Sequence, residues 1–167
     1  MKRWIISFLA LTLMLPALAQ NLTGTWTISE SMNEKQEDMD SSMEMTSDMV
    51  LQEGGVYSQS GKASMTIGSG EDSFYFTILF SAKGTWKKEG NTLTIQNNPK
   101  EAKVDVGECN LPGFLKVLIV NTMKKELKKE LGSRKPDVYA IVSLTDQELV
   151  LLETGVKNAQ PETYKRK

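Results

Sequence analysis

The chain has 167 residues, 20 of them basic and 21 acidic, with no histidine and a single cysteine. A charge balance this close to zero argues against a general nucleic-acid binder. The missing imidazoles exclude Ser-His and Cys-His nucleophile pairs and histidine metal sites, and Cys109 by itself closes no intramolecular disulfide. In chain order, Met1-Lys2-Arg3 is a short positive start, Trp4 to Leu15 an apolar or hydroxyl run, and Pro16-Ala17-Leu18-Ala19 ends in a small-x-small cleavage pattern. Residues 1–19 therefore read as a signal peptide; the run is too short to span a bilayer as a helix. The expectation is one exported domain over 20–167, periplasmic or secreted and not integral to the membrane, with no lipid anchor because Gln20 and not cysteine follows the cleavage site. Removing Lys2 and Arg3 leaves 18 basic residues against 21 acidic.

Strand signals then recur at short intervals. Leu22, Gly24, Trp26 and Ile28 alternate with Thr23, Thr25, Thr27 and Ser29, which is period two with one apolar face. The polar, acidic stretch 31–42 reads as a long exposed loop. Met43, Met45, Met49 and Leu51 share one parity, and Gly54-Gly55 signals a hairpin turn. Val56 to Ile67 is a weaker strand, closed by the turn residues Gly68-Ser69-Gly70-Glu71. The clearest alternation follows, with Phe74, Phe76, Ile78, Phe80 and Ala82 on one face, running through Gly84 to Trp86. A bend or break is expected near Gly84, where a glycine inside a strand often marks a bulge. Leu93 and Ile95 make a short strand after Glu89-Gly90-Asn91, and Lys100 to Val106 a further one. Over 112–131 the period changes: Leu115, Ile119, Met123, Leu127 and Leu131 are spaced by four, with Leu118 beside them, between Pro112 and Gly132. This is an amphipathic helix with the expected end residues. Val138–Leu144, Leu149–Leu152 and a short Thr163–Arg166 complete the pattern. The fold class is all-β: a single antiparallel meander β-barrel of about eight strands, with one helix before the last strands.

Four segments, in this order, carry a resemblance to a known family. They are Gly24-Thr25-Trp26, Gly84-Thr85-Trp86 with Gly90-Asn91-Thr92-Leu93-Thr94-Ile95, the late hairpin Ile141–Thr145 to Glu148–Leu151, and Thr163-Tyr164-Lys165-Arg166. The mature chain resembles the lipocalins of the calycin group, and small exported bacterial lipocalin-like domains in particular. The resemblance implies that Gly24, Trp26 and Arg166 close one end of the barrel, a basic side chain from the last strand lying over the tryptophan. Arginine over an indole contributes about 0.5–2 kcal/mol. It also implies that the first long loop lies over an open mouth. The helix departs from the lipocalin pattern, where the main helix follows the eighth strand; here it either caps an end or packs on the outer wall.

Three functions fit these residues. The first is non-catalytic binding of a small hydrophobic molecule, with Met43, Met45, Met49, Leu51, Phe74, Phe76, Ile78 and Phe80 lining the interior; a filled core is the alternative use of the same side chains. The second is an exported structural or protein-interaction module with a filled barrel, docking through the helix or its lysines; no particular protein partner is indicated, and an exposed apolar stripe would strengthen it. The third is copper(I) held by thioethers of the Met39–Met49 segment. No cofactor, resident metal or catalytic residue is expected. The acidic residues read as loop and helix positions, so an enzyme would require an inward Asp or Glu beside a cavity. Cys109 reads as a small buried apolar residue.

Overall fold

The computed structural model describes residues 21–36, 39–68 and 73–167. The leader 1–19, the centre of the acidic segment at 37–38 and most of the Gly68–Glu71 turn lie outside the described residues. Nine strands follow in chain order: β1 Gly24–Gln36, β2 Met39–Gln52, β3 Val56–Ile67, β4 Phe74–Glu89, β5 Thr92–Asn97, β6 Lys103–Cys109, β7 Asp137–Leu144, β8 Glu148–Glu153 and β9 Glu162–Arg166. Between β6 and β7 run α1 (Gly113–Leu115), a π turn (Lys116–Val120) and α2 (Asn121–Leu131).

All pairings are antiparallel. Eight strands close on themselves in the cyclic order β1-β2-β3-β4-β5-β7-β8-β9, the last pairing back to β1 through Trp26↔Arg166 and Thr27↔Lys165. Closure leaves no sheet edge within this ring, the usual solution to unpaired strand backbones. Strand β6 stands outside the cycle and shares an edge of β4 with β5. The first half of β4 pairs with β6 (Phe76↔Cys109 to Ser81↔Lys103) and the second half with β5 (Gly84↔Asn97 to Glu89↔Thr92). Gly84 marks that hand-over. The strand does not break there, but a Cβ at Gly84 would run into the carbonyl of Gln96.

The acidic stretch differs from the expected loop. Residues 31–36 and 39–42 continue the β1–β2 hairpin, with Ser31↔Glu44, Asn33↔Ser42 and Gln36↔Met39 as partners. The stretch has no apolar parity along the sequence, so hydropathy gives no signal for a ribbon that backbone pairing forms.

One core fills the end where the chain enters the barrel. Trp26 is completely buried, among Leu22, Met49, Leu51, Tyr57, Leu93, Ile95, Leu149, Leu151 and Tyr164. Its indole N–H donates to the Leu22 carbonyl at 2.9 Å, and the Arg166 guanidinium stacks 4.3 Å from the ring centroid. The same guanidinium donates to the carbonyls of Thr23 (2.9 Å) and Asn21 (2.6 Å), so it staples the incoming chain across the tryptophan.

A second core lies under the helix. Phe76, Ile78, Leu111 and Val120 are buried there, with Val104, Val106, Ile119, Met123 and Leu127 packed around them. The helix thus packs against the apolar face of β4 and β6 that carries Phe76, Ile78, Val104 and Val106, and not on the outer wall. Leu118 is not part of its packed stripe: it is 65 % exposed, alongside Phe114 at 75 % and Val117. Val117 and Leu118 lie within the π turn, which has one residue more than the α-helical repeat.

Candidate functional site

Between the two cores the interior is not filled. A cavity of about 880 Å³ opens to solvent between the upper barrel wall and α2. Its apolar side is built from strand parity: Met43 and Met45 on β2, Ala63 on β3 and Phe80 on β4 point inward, and Met123 and Leu127 face them from α2. A shallower groove of about 390 Å³ shares Glu30, Met43 and Met45 and runs on to Met32.

The eight residues expected to line the interior separate into three groups. Met43, Met45 and Phe80 line the cavity. Met49 and Leu51 are buried in the core around Trp26, and Phe76 and Ile78 in the core under the helix. Phe74, at the start of β4, is 38 % exposed. The described methionines of β2 are divided between the cavity, with Met43 and Met45, and the Trp26 core, with Met49. An extended strand moves same-face side chains about 6.6 Å apart per step, and Met49 is enclosed in the Trp26 core. The side chain of Met39 lies outside the described residues. Cys109, opposite Phe76 at the end of β6, is half-buried against the helix core.

The other side of the cavity is acidic, which corrects the reading of acidic residues as confined to loops and the helix. Glu30, Asp137, Glu153 and Glu162 stand on strands β1, β7, β8 and β9 and line the cavity. Each sits two residues from an inward apolar or aromatic side chain: Ile28, Tyr139, Leu151 and Tyr164, respectively. The ladder sets them side by side. Glu153 is the partner of Tyr139, two residues beyond Asp137, and Glu162 is the partner of Leu151, two residues before Glu153. Asn97 extends the row on β5, two residues past Ile95, the partner of Asp137. Diagonal neighbours of this kind have Cα atoms about 7–8 Å apart. Glu126 and Glu130 of α2 join the lining, with Lys129 the one basic side chain in it.

Three tyrosines lie beneath the row. Tyr164 donates to Glu162 Oε2 at 2.7 Å, and Tyr57 to Gln59 Oε1 at 2.7 Å; Gln59 in turn donates to Ser47 Oγ at 2.9 Å. Burial pushes all three phenols, those of Tyr57, Tyr139 and Tyr164, far above the ordinary tyrosine range, and the neighbouring carboxylates push them the same way, so they stay neutral. Burial also raises Asp137, with Glu153 and Glu130 adding like-charge repulsion and Lys135 partly opposing them. Glu162 is raised by burial and by Glu30 and Glu153, against the hydrogen bond from Tyr164. Among the described residues, none of Glu30, Asp137, Glu153 and Glu162 forms an ion pair; the cavity's Lys129 lies 4.0 Å from Glu126. Nor do any three His, Cys, Asp or Glu side chains converge closely enough to hold a metal ion, among the described residues.

Chemically, the arrangement offers one apolar wall and one wall of hydrogen-bond acceptors. Sequence parity could have flagged the acidic row, because every member continues the inward face of its strand. A charged residue at a strand end has the same local pattern as the start of a loop, so the row is not distinguished by its sequence neighbours. No protein-family model matches the chain, and no curated protein matches it.

Proposed function

We propose that this protein is a non-catalytic, lipocalin-like barrel that binds a small, largely apolar molecule in its interior. The observation that carries this reading is the cavity of about 880 Å³ between the barrel wall and α2. Its size is in the usual range for small-molecule sites, and its flexible thioether side chains can adapt to a ligand's shape. The lipocalin likeness is supported by a closed antiparallel meander with Gly24 and Trp26 on the first strand and Arg166 stacked on that tryptophan from the last. Carboxylates with raised pKa also occur in acid–base enzymes. Here the chain has no histidine, and the one phenol that donates to the row, Tyr164 on Glu162, is kept protonated by burial. The proposal includes export, on the strength of the Lys2–Ala19 segment; amino-terminal sequencing of the protein recovered outside the cytoplasm should then begin at Gln20.

The binding test is direct. The protein, purified without detergent, should give saturable, one-to-one fluorescence enhancement with the neutral probe N-phenyl-1-naphthylamine. Met45→Trp, which fills the cavity, should abolish the enhancement while leaving the thermal midpoint within a few degrees. Absence of saturable binding by the unaltered protein would sink the reading. A second reading is favoured by the exposed apolar stripe of Phe114, Val117 and Leu118: an interaction module that docks through the start of the helix. It predicts a barrel that takes no probe, so the same titration separates the two.

A further inference from the structure

We propose that the cavity selects a cationic amphiphile, an organic ammonium with an apolar body, whose head meets the row Asn97–Asp137–Glu153–Glu162–Glu30. This deepens the binding reading above and rests on it.

The row occupies five neighbouring strands, β5, β7, β8, β9 and β1, so acceptors line one continuous arc of the inner wall. The four carboxylates in it form no ion pair among the described residues, Lys135 acting on Asp137 only from beyond contact distance. Asn97 supplies an independent sign. Its side chain is 7 % exposed and faces the cavity, and its Oδ1 accepts no hydrogen bond among the described residues. A buried acceptor without a donor is costly. The four carboxylates of the arc bring no N–H of their own.

The alternatives fit less well. An anionic head would face four like charges. A neutral apolar ligand would strip water from the carboxylates and return no hydrogen bond. A bare divalent ion needs several ligands within one coordination sphere, and the carboxylates do not converge that way. An ammonium suits the geometry, because several N–H donors on one head can reach acceptors spread along an arc. The rings of Tyr57, Tyr139 and Tyr164 beneath it add faces for a cation. Opposite the arc, Met43, Met45, Phe80 and Met123 receive an apolar chain, with the groove toward Met32 giving it room.

The test uses three ligands with one hydrocarbon: decylamine, 1-decanol and decanoate, titrated at pH 7 against the full chain by displacement of N-phenyl-1-naphthylamine. Decylamine should displace the probe at least tenfold more tightly than decanol, decanoate should be weakest, and the preference for the amine should shrink with added salt. In Asp137→Asn/Glu162→Gln, the amine should fall to the level of decanol while decanol binds as before or better. Equal displacement by amine and alcohol in the unaltered protein would overturn the cationic selectivity and leave the binding barrel standing. Failure of all three ligands and of the probe would overturn the binding barrel itself. The comparison on the unaltered protein decides the proposal even if the double variant does not fold.

Discussion

Trp26 and Arg166 show how much a pair of residues at one end of a barrel can hold. They are direct cross-strand partners at the seam where β9 returns to β1, so their contact and the closure of the ring are one event. Arg166 also donates to two carbonyls of the incoming chain. Arg166→Ala therefore removes a cation–π contact and strands two acceptors, and should lower stability by about 2 kcal/mol in denaturant unfolding. Arg166→Lys should recover only part of this, because an ammonium lacks the planar fork that stacks and donates at once. Gly24 belongs to the same device. Its φ of +138° suits glycine, and a Cβ there would sit 2.8 Å from Arg166 Nη1. Gly24→Ala should cost about 1–3 kcal/mol through backbone strain, and its effect should be less than additive with Arg166→Ala, since the clash partner is then gone. These three residues were legible from the Gly-x-Trp motif and the terminal basic residue. The acceptor at Asn97 was not: nothing in Thr92–Asn97 says that its last inward position faces open space and not packed core.

At the scale of elements, strand β4 does two jobs because it is long. Its first half backs the helix core through β6 and its second half belongs to the closed ring through β5. Gly84→Val should disrupt the hand-over by forcing the Gln96 backbone away, costing at least about 1–3 kcal/mol, with hydrogen-exchange protection lost in both β5 and β6. Inward charges distinguish the core from the cavity. Phe76 is 2 % exposed under the helix, so Phe76→Asp buries an unpaired charge and should prevent folding. Met45 lines the open cavity, so Met45→Asp should fold, with a lowered midpoint and loss of probe binding. Parity placed both side chains on inward faces. It could not show that one meets a helix and the other meets solvent, since that depends on what lies across the barrel. The helix itself was readable from its four-residue spacing, but the π turn in which the exposed Leu118 lies is not encoded by that spacing.

For the whole molecule, the acidic wall has a consequence for stability. In the folded state Asp137 and Glu162 are raised, chiefly by burial, above their ordinary 3.8 and 4.5. The folded protein therefore holds protons there at pH values where the unfolded chain has released them. The stability these groups contribute falls as pH rises through their folded values, and is recovered as pH falls toward the ordinary ones. Asp48 acts in the opposite sense: the hydrogen bonds from Lys167 and Thr27 hold it low, so its contribution is lost only on acidification below its ordinary range. Asp137→Asn/Glu162→Gln should consequently raise the thermal midpoint at pH 7, and the gain should shrink as pH falls and the acids of the unaltered protein take up protons. A midpoint unchanged at pH 7 would mean that the row carries no electrostatic penalty in the ligand-free protein.

The alternation of apolar side chains at period two, the turn residues between them and the one stretch at helical spacing were enough to specify an antiparallel meander of about this size with its helix before the last strands. Those patterns record which side chains share a face, and a barrel is what such faces require once their edges are paired. Closure decided the rest. It paired residues 31–36 and 39–42 into a ribbon that has no apolar face. It brought Glu30, Asp137, Glu153 and Glu162 together from strands as far apart in the chain as β1 and β9. It set α2 against β4 and β6, so that a cavity remains between the helix and the rest of the wall. Long-range pairing register and the space left between packed surfaces are properties of the closed barrel, and no local period along the chain carries them.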